Sequence, residues 1–369
     1  MKFLCNGSEL REATNKIKSV ISGNSPEPIL NGIKIVAKDG TVEFTAKDND
    51  TTIDKKVIAD VKIEGETVVE GKFFCDLCNL LKDTQIEIVV SSDNKMTIKY
   101  GENVVDANCF DPNEYPPNTV IDSANHFVMM SRDFCELVKK IDFCAGTDSG
   151  RPILKGIFLE LEDDNITGVT LDGYRLAKVA KKLEKSVEEK FSCVVPAKSL
   201  SDAAKIIGDN LDTITFHLNK SFLVLDAGHI KITISLLEGD YINYRQVIPA
   251  TVAATAILEK DTLKKSIERV KLITMNEKAN SLSMEFGSVQ TILSSKSQRG
   301  TITEKLASTL DGIENKIGFN AKFVTDALDA IDTESVTIKM NTPTSPVLFL
   351  PTGGDEGVMY LVLPLRLSE

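Results

Sequence analysis

The chain has 369 residues, of which 42% are hydrophobic and 26% charged, a composition typical of a folded globular protein and unlike a disordered or fibrous chain. The formal net charge of -11 argues against a surface that coats nucleic acid everywhere, but it leaves room for one local basic face. No apolar run is long enough for a signal peptide or a bilayer span, and the seven cysteines all lie before residue 194. We therefore expect a cytoplasmic protein with free thiols and no disulfide framework.

An amphipathic helix is predicted near the start of each of three similar stretches of chain. Its apolar residues recur every three or four positions, which is the spacing of one buried helix face. The residues are Leu10, Ala13, Ile17 and Ile21, then Phe134, Leu137, Val138 and Ile141, then Leu263, Ile267 and Val270.

Between the helices, the segment Ile29–Ile33 recurs as Ile153–Ile157, and Asp48 and Asp172 follow the two copies at the same distance. A second landmark, lysine followed four residues later by aspartate, occurs three times and is predicted to open a second helix in each copy. It covers Lys72–Asp76, Lys198–Asp202 and Lys322–Asp326. The spacing of about 124 residues is far too long for a solenoid, so each copy is predicted to be a domain.

Strands with one polar face are predicted after each second helix, because apolar and polar residues alternate there. The apolar positions are Ile86, Ile88 and Val90, then Ile214, Phe216 and Leu218, then Val336, Ile338 and Met340. We therefore predict an α+β fold of three tandem homologous domains, with helices packed on antiparallel sheets, over residues 1–122, 123–250 and 251–369. Three such domains in series predict an arc, or a ring if copies associate and the rotations close.

Basic residues outnumber acidic ones in the first helix of each copy, against the acidic trend of the chain. A solvated helix face is one explanation. Since equivalent helices of an arc point the same way, their lysines could instead line one concave surface that meets DNA phosphates.

Signatures of catalysis and metal binding are weak. The sequence has no Walker A loop and no G-x-G-x-x-G turn, and the histidines His126, His217 and His229 are expected to lie apart without a chemical role. Cys75 and Cys78 have a metal-like spacing but no second ligand pair, so a core position is favoured.

Two further acidic features have structural explanations. Asp48 and Asp172 are predicted to cap turns in two different domains, because repeat symmetry would separate a catalytic pair. The segment Gly353–Gly357 is expected to join two strands.

The segments Val169–Ala177 (VTLDGYRLA), Asp240–Pro249 (DYINYRQVIP) and Leu363–Leu367 (LPLRL), together with the three-domain repeat, resemble the bacterial DNA polymerase III sliding clamp family, the beta subunit of the replicative holoenzyme. The resemblance covers the whole chain. It implies the DNA clamp fold and a head-to-tail homodimeric ring that acts as a processivity factor, encircling duplex DNA without reading its sequence. It also implies an ATP-dependent clamp loader, tethering of the replicative polymerase and other clamp-binding proteins, and no enzymatic activity, cofactor or metal.

The resemblance further implies a partner-peptide pocket between the second and third domains, with a small apolar centre and a charged rim. Carried over by matching motif, its residues are Leu154, Leu171, Gly173, Tyr174, Arg175, Leu176, Ile242, Gln246, Val247, Leu361, Leu363, Pro364, Leu365 and Arg366. The residues implied to face DNA are Lys198, Arg151 and Asn24.

This chain departs from the family pattern at several pocket positions. The family usually has threonine at Leu171, commonly has histidine at Tyr174, and commonly has proline and arginine at Ile242 and Gln246. We therefore expect a more apolar and less cationic pocket on one side. The family chain often stops at the equivalent of Leu367, so Ser368–Glu369 extends the rim here.

Two other functions remain as alternatives at this stage. One is a scaffold of three repeated domains that binds short peptides without forming a ring. The other is a metal-dependent hydrolase that uses aspartates such as Asp48 and Asp172. Neither explains the closing LPLRL segment together with the repeat.

Overall fold

The computed structural model describes residues 1–21, 27–81, 84–118, 125–148, 150–210, 213–273 and 280–366. Two compact units are present, one formed by Met1–Arg132 with Ser199–Leu236 and the other by Asp133–Lys198 with Leu237–Glu369. Each unit is built around one large sheet, and neighbouring strands with a recorded register are all antiparallel. The helices are α1 Gly7–Ile17, α2 Gly71–Leu80, α3 Ser131–Ile141, α4 Ala197–Ile207, α5 Lys260–Lys271 and α6 Ala321–Asp329.

The strands follow in chain order. Those before residue 120 are β1 Lys2–Asn6, β2 Gly32–Lys38, β3 Thr41–Lys47, β4 Thr51–Ile58, β5 Asp60–Ile63, β6 Gly65–Glu70, β7 Gln85–Val90, β8 Lys95–Tyr100 and β9 Asn103–Phe110. The next are β10 Asn125–Met130, β11 Gly156–Glu162, β12 Asn165–Leu171, β13 Arg175–Lys182, β14 Phe191–Pro196, β15 Thr213–Leu218, β16 Phe222–Asp226 and β17 Ile230–Ser235. The last are β18 Ala254–Glu259, β19 Ser281–Phe286, β20 Gln290–Ser297, β21 Gly300–Gly312, β22 Asn315–Asn320, β23 Ser335–Met340, β24 Val347–Pro351 and β25 Met359–Val362.

The sheet of the first unit has thirteen strands in the order β10-β15-β16-β17-β4-β3-β2-β6-β9-β8-β7-β1-β5. β4 and β17 join strands from the first and second sequence repeats, with Ile53 opposite Ile232. The sheet of the second unit has twelve strands in the order β14-β11-β12-β13-β25-β24-β23-β18-β21-β20-β19-β22. Here β13 and β25 join the second and third repeats, with Leu176 opposite Leu361.

The predicted helix faces are confirmed. The apolar positions predicted for the first helices are buried in α1, α3 and α5, except that Ile21 lies beyond the end of α1. Each lysine landmark lies at the start of α2, α4 or α6, and the buried stripes include Phe74, Ala203 and Leu328. The alternation predicted for the later strands is also confirmed, since β7, β15 and β23 bury every second residue.

Cys75 and Cys78 belong to the core of the first unit, as expected. Both are less than 2% exposed, and the Cys75 thiol donates to the carbonyl oxygen of Thr14. Burial raises the pKa of the Cys75 thiol to about 12, which opposes the thiolate form that a metal requires. The seven cysteines all lie in the described ranges, and none of them forms a disulfide.

The expectation that the three histidines lie apart is wrong for one pair. His126 and His217 are directly opposite each other on β10 and β15, and their ring centroids are 6.3 Å apart. The two strands are paired along their full length, a register that sequence spacing does not reveal.

The acidic turns are as predicted. The Asp48 carboxylate accepts from the backbone amides of Asp50 and Thr51, at 2.9 and 2.8 Å. Asp48 lies in the first unit and Asp172 in the second, where Asp172 caps a turn in the same way. The segment Gly353–Gly357 connects β24 with β25.

Candidate functional site

A buried apolar cluster lies in the second unit where β12, β13 and β25 meet. Pairing places Leu171 opposite Leu176, and Leu176 opposite Leu361. Four predicted pocket residues, these three and Leu154, belong to this cluster, and a fifth, Leu363, packs against it while remaining half-buried. The cluster also contains Val169, Tyr244 and Leu348, which are not among the pocket residues that the family resemblance implied.

The turn between β12 and β13 sets the edge of this cluster. The Asp172 carboxylate accepts from the backbone amides of Tyr174 and Arg175, at 2.9 and 3.1 Å. Gly173 has a φ of 93°, a backbone conformation that favours glycine. The turn leaves Tyr174 62% exposed, while its carbonyl oxygen accepts from the amide of Leu363 at 2.8 Å. An exposed aromatic side chain thereby stands in the turn that follows Leu171 of the cluster.

The Arg175 side chain, 10% exposed, lies beside this turn and has partners on several sides. Its Nε donates to Asp172 at 2.9 Å, its Nη1 to Asp326 of α6 at 2.5 Å, and its Nη2 to the carbonyl oxygen of Phe143 at 2.8 Å. The guanidinium carbon lies 4.6 Å from the ring centroid of Phe323, which also stacks against Tyr174. Burial opposes the charged form, but the surrounding thiol and carboxylate groups outweigh it and raise the pKa of Arg175.

The segment with Ile242, Gln246 and Val247 runs beside the cluster. Tyr244 of this segment is one of its buried members, and its hydroxyl donates to Glu160 at 3.2 Å. Ile242, Gln246 and Val247 are themselves exposed. The structure therefore places these three predicted residues at the rim and not in the floor.

The predicted pocket residues after Leu363 lie beside β22 and not among the members of the apolar cluster. The amide of Leu365 donates to the carbonyl oxygen of Gly318 on β22 at 2.8 Å. Pro364, Leu365 and Arg366 line a separate depression of about 620 Å³ together with Lys316, Gly318, Pro343 and Thr344. Leu367, Ser368 and Glu369 lie outside the described residues.

Two of the three residues predicted to face DNA are exposed side chains of the second unit. Lys198 is exposed in the first turn of α4, and Arg151 is exposed just before β11. Asn24 lies outside the part of the chain that the structure describes.

Some basic side chains of the first helices form ion pairs within the protein. Lys140 of α3 is 8% exposed and paired with Glu136 and Asp332, so it is not available to a ligand. Arg269 of α5 is paired with Glu304 at 2.7 Å. The basic face predicted from the sequence therefore has fewer unpaired cations than the count suggested.

Sequence reasoning missed three residues that surround Arg175, namely Phe143, Phe323 and Asp326. The sequence pointed to two of them, because Phe323 and Asp326 belong to the repeated lysine-to-aspartate landmark of the second helices. Phe143 had none, since only the tertiary fold brings the end of α3 to this turn.

The described ranges contain neither a cluster of metal-ligating side chains nor a membrane-spanning helix. No group of three or more His, Cys, Asp or Glu side chains there could hold a metal ion. No helix in those ranges is long and apolar enough to cross a membrane.

The fold matches solved clamp structures over its full length. The DNA polymerase sliding clamp of Bacillus subtilis is 26% identical, with all of both chains covered and a TM-score of 0.96. The DNA polymerase III beta subunit of Thermotoga maritima is also 26% identical with full coverage, at a TM-score of 0.92. The α+β fold and these matches define the chain as a sliding clamp by class.

Sequence comparison gives the family. Models of the N-terminal, central and C-terminal domains of the DNA polymerase III beta subunit match residues 1–122, 129–243 and 245–366. The beta sliding clamp of Halalkalibacterium halodurans is 29% identical over 380 aligned positions, covering 99% of this chain and 100% of the relative. The chain belongs to the DNA polymerase III beta subunit family.

This membership confirms the function that the sequence resemblance implied. The chain is a processivity clamp of DNA polymerase III. The comparisons favour neither the peptide-binding scaffold nor the metal-dependent hydrolase.

Proposed function

We propose that two copies of the chain join head to tail into a closed ring that encircles duplex DNA and tethers the replicative polymerase and other clamp-binding proteins. An ATP-dependent loader opens and closes this ring, which works in the cytoplasm without a cofactor and has no enzymatic activity. Topological linkage supplies processivity, so the ring needs neither tight binding to DNA nor recognition of its sequence. The three domains span residues 1–122, 123–250 and 251–369.

The observation that carries the ring is a half-open edge on one strand of each unit. In the described part of the first unit, residues 103–108 of β9 pair with β8 on one side and have no strand on the other. In the second unit, residues 300–307 of β21 likewise pair only with β20 among the described strands. Such edges are templates for pairing with another chain. Joining β9 of one copy to β21 of the next is a head-to-tail contact that closes if the rotation allows.

Size-exclusion chromatography coupled to small-angle X-ray scattering tests the ring, because it reports mass and shape together. We expect twice the chain mass of 40.4 kDa and a scattering profile with a hollow centre. A monomer, or a solid particle of any mass, would contradict the proposal.

We propose that the cluster around Leu171, Leu176, Leu361 and Leu363 is the floor of a pocket for short extended partner peptides. Its support is the combination of a buried apolar floor, the half-buried Leu363 and the exposed Tyr174 at its edge. Apolar centres of this kind, surrounded by more polar residues, are where peptide grooves concentrate their binding energy.

Shortening Leu363 to alanine tests the pocket. We expect Leu363→Ala to weaken binding of a peptide from the clamp-binding segment of the polymerase by about tenfold or more, because a central apolar contact is lost. Fluorescence anisotropy measures the affinity. The matched control is Leu80→Ala on α2 of the other unit, where the side chain is 82% exposed. Equal peptide affinity in wild type and Leu363→Ala would sink the pocket assignment.

We propose that Lys198 and Arg151 contribute sequence-independent contacts to DNA phosphates. Both are exposed, and neither has a recorded ion pair in the described residues. Asn24 is proposed for the same surface on the family resemblance alone. Such contacts are long-range and weaken with added salt.

A further inference from the structure

The lysine-to-aspartate landmark occurs in three helices, but its aspartate has different partners in each. Asp76 of α2 pairs with Lys18 at 2.9 Å, with both side chains about half exposed. Asp202 of α4 pairs with the exposed Lys205 at 3.1 Å. Asp326 of α6 is 19% exposed and accepts from both Lys322 and Arg175. Among the recorded contacts of the three aspartates, an arginine appears only at Asp326.

Asp326 completes the enclosure of Arg175. The Arg175 side chain is 10% exposed, and its three nitrogens each already donate a hydrogen bond within the protein. The Phe323 ring covers one side of the guanidinium, and the Phe143 centroid lies 5.5 Å from it. A guanidinium that is 10% exposed, with three of its five N–H groups engaged inside the protein, has reduced capacity to pair with a carboxylate from a partner.

The local charges also cancel. Arg175 and Lys322 are opposed by Asp172 and Asp326, so these four paired side chains carry no net charge. A peptide carboxylate placed there would be desolvated without gaining a new partner, while an uncharged side chain would avoid that cost.

We propose that Asp326 is a positioning and specificity residue, which fixes and neutralises Arg175 so that the Tyr174–Phe323 end of the pocket selects uncharged side chains of partner peptides over acidic ones. This inference rests on the proposed pocket. It assigns to Asp326, in one copy of the repeated landmark, a function that folding alone does not require.

The test uses a polymerase-derived peptide and a set of variants of it, each with one glutamate at a position that is not an apolar anchor. We expect wild-type protein to bind the parent peptide and to reject glutamate most strongly at one position. Asp326→Asn leaves Arg175 without one of its two carboxylate partners, so we expect it to reduce the penalty at that position by about fivefold, the upper end of what one solvent-exposed ion pair contributes. Asp326→Glu should keep the wild-type preference, and Asp202→Asn is the matched control in another copy of the landmark.

A double variant separates the two cations that Asp326 holds. In Asp326→Asn/Lys322→Gln the charges of these side chains again cancel, but Arg175 still lacks its Asp326 partner. If the freed Arg175 donor pairs with the peptide glutamate, the reduced penalty persists in this variant. If the penalty returns to its wild-type value, the effect came from Lys322 or from net charge, and the inference is overturned. An unchanged glutamate penalty in a folded Asp326→Asn protein, checked by thermal unfolding, also overturns it. If wild-type protein binds no peptide at all, the pocket itself fails, which is a different result.

Discussion

At the residue scale, the repeated glycine of the Ile29–Ile33 and Ile153–Ile157 segments has a clear physical role. Gly32 and Gly156 each follow a short 3₁₀ turn and begin a strand. A Cβ atom on Gly156 would lie 2.3 Å from the Val194 side chain and 3.1 Å from a backbone oxygen. The repeat therefore preserves a close approach between neighbouring strands, which no larger residue permits without movement.

We predict that Gly156→Ala destabilises the protein by about 1–3 kcal/mol, because the added methyl group overpacks the junction between β11 and β14. Denaturant unfolding followed by circular dichroism measures the change. Gly150→Ala is the matched control, since its Cβ would meet nothing closer than an ordinary contact of 3.4 Å. Equal midpoints for the two variants would contradict the steric argument.

At the element scale, α3 is joined to the end of β13 and to two loops by a chain of ion pairs. Lys140 bridges Glu136 and Asp332 at 2.6 and 2.7 Å. Lys181 bridges Glu136 and Asp355 at 2.9 and 3.3 Å. Both lysine side chains are less than 15% exposed, so solvent screens these pairs less than surface pairs. These linked ion pairs lie at the opposite end of the β13–β25 pairing from Tyr174 and Leu363.

Glu136 is at the centre of these linked ion pairs, and its titration makes their contribution to stability depend on pH. Burial by itself would raise the pKa of Glu136, but hydrogen bonds from Lys140 and Lys181 hold the pKa below its ordinary value of 4.5. The carboxylate therefore contributes stability that is fully present above pH 4.5 and is lost as the pH falls through the lower pKa of the folded state.

We predict that Glu136→Gln lowers the free energy of unfolding by about 1–2 kcal/mol at neutral pH, and that the difference from wild type shrinks as the medium is acidified. Unfolding curves between about pH 3 and pH 7 measure it. The exposed pair of Glu162 with Lys190 provides a control, because Glu162→Gln should change stability by less than about 0.5 kcal/mol. A difference for Glu136→Gln that stays constant with pH would contradict the linkage.

At the scale of the whole molecule, the repeats of the sequence and the compact units of the fold are different divisions. The sequence repeats three times, whereas the described chain forms two units. The reason is strand pairing, since β4–β17 joins the first and second repeats in one sheet and β13–β25 joins the second and third in the other. Pairing these edges satisfies backbone groups that isolated domains would leave open.

The same principle applies to the edges that remain open. Within the described strands, β9 and β21 each keep a half-open edge, and their outward positions include the 56% exposed Val104. An exposed edge of this length is an aggregation hazard in a monomer. Pairing between copies of the chain in the proposed ring would remove the hazard, which is the physical argument for that proposal.

The sequence by itself determined the local elements and the family. Helix faces such as the one with Leu10, Ala13 and Ile17 follow from a short-range period, and so do the alternating strands, because each element must bury one face. The turn role of Asp172 also followed from local sequence. The apolar cluster of the proposed pocket was predictable only through the family resemblance, since Leu154, Leu171 and Leu361 are far apart in the sequence.

Only the tertiary structure decided which distant groups meet. The pairing of His126 with His217 depends on strand register, and a shift of one residue would separate the rings to opposite faces. The family resemblance lists Arg175 among the pocket residues without its partners, and the fold sets its largely enclosed side chain against Asp326 and Phe323. Sequence periodicity records which face of an element is buried, whereas the partners of a buried charge depend on how the elements pack, and that information is not local to the chain.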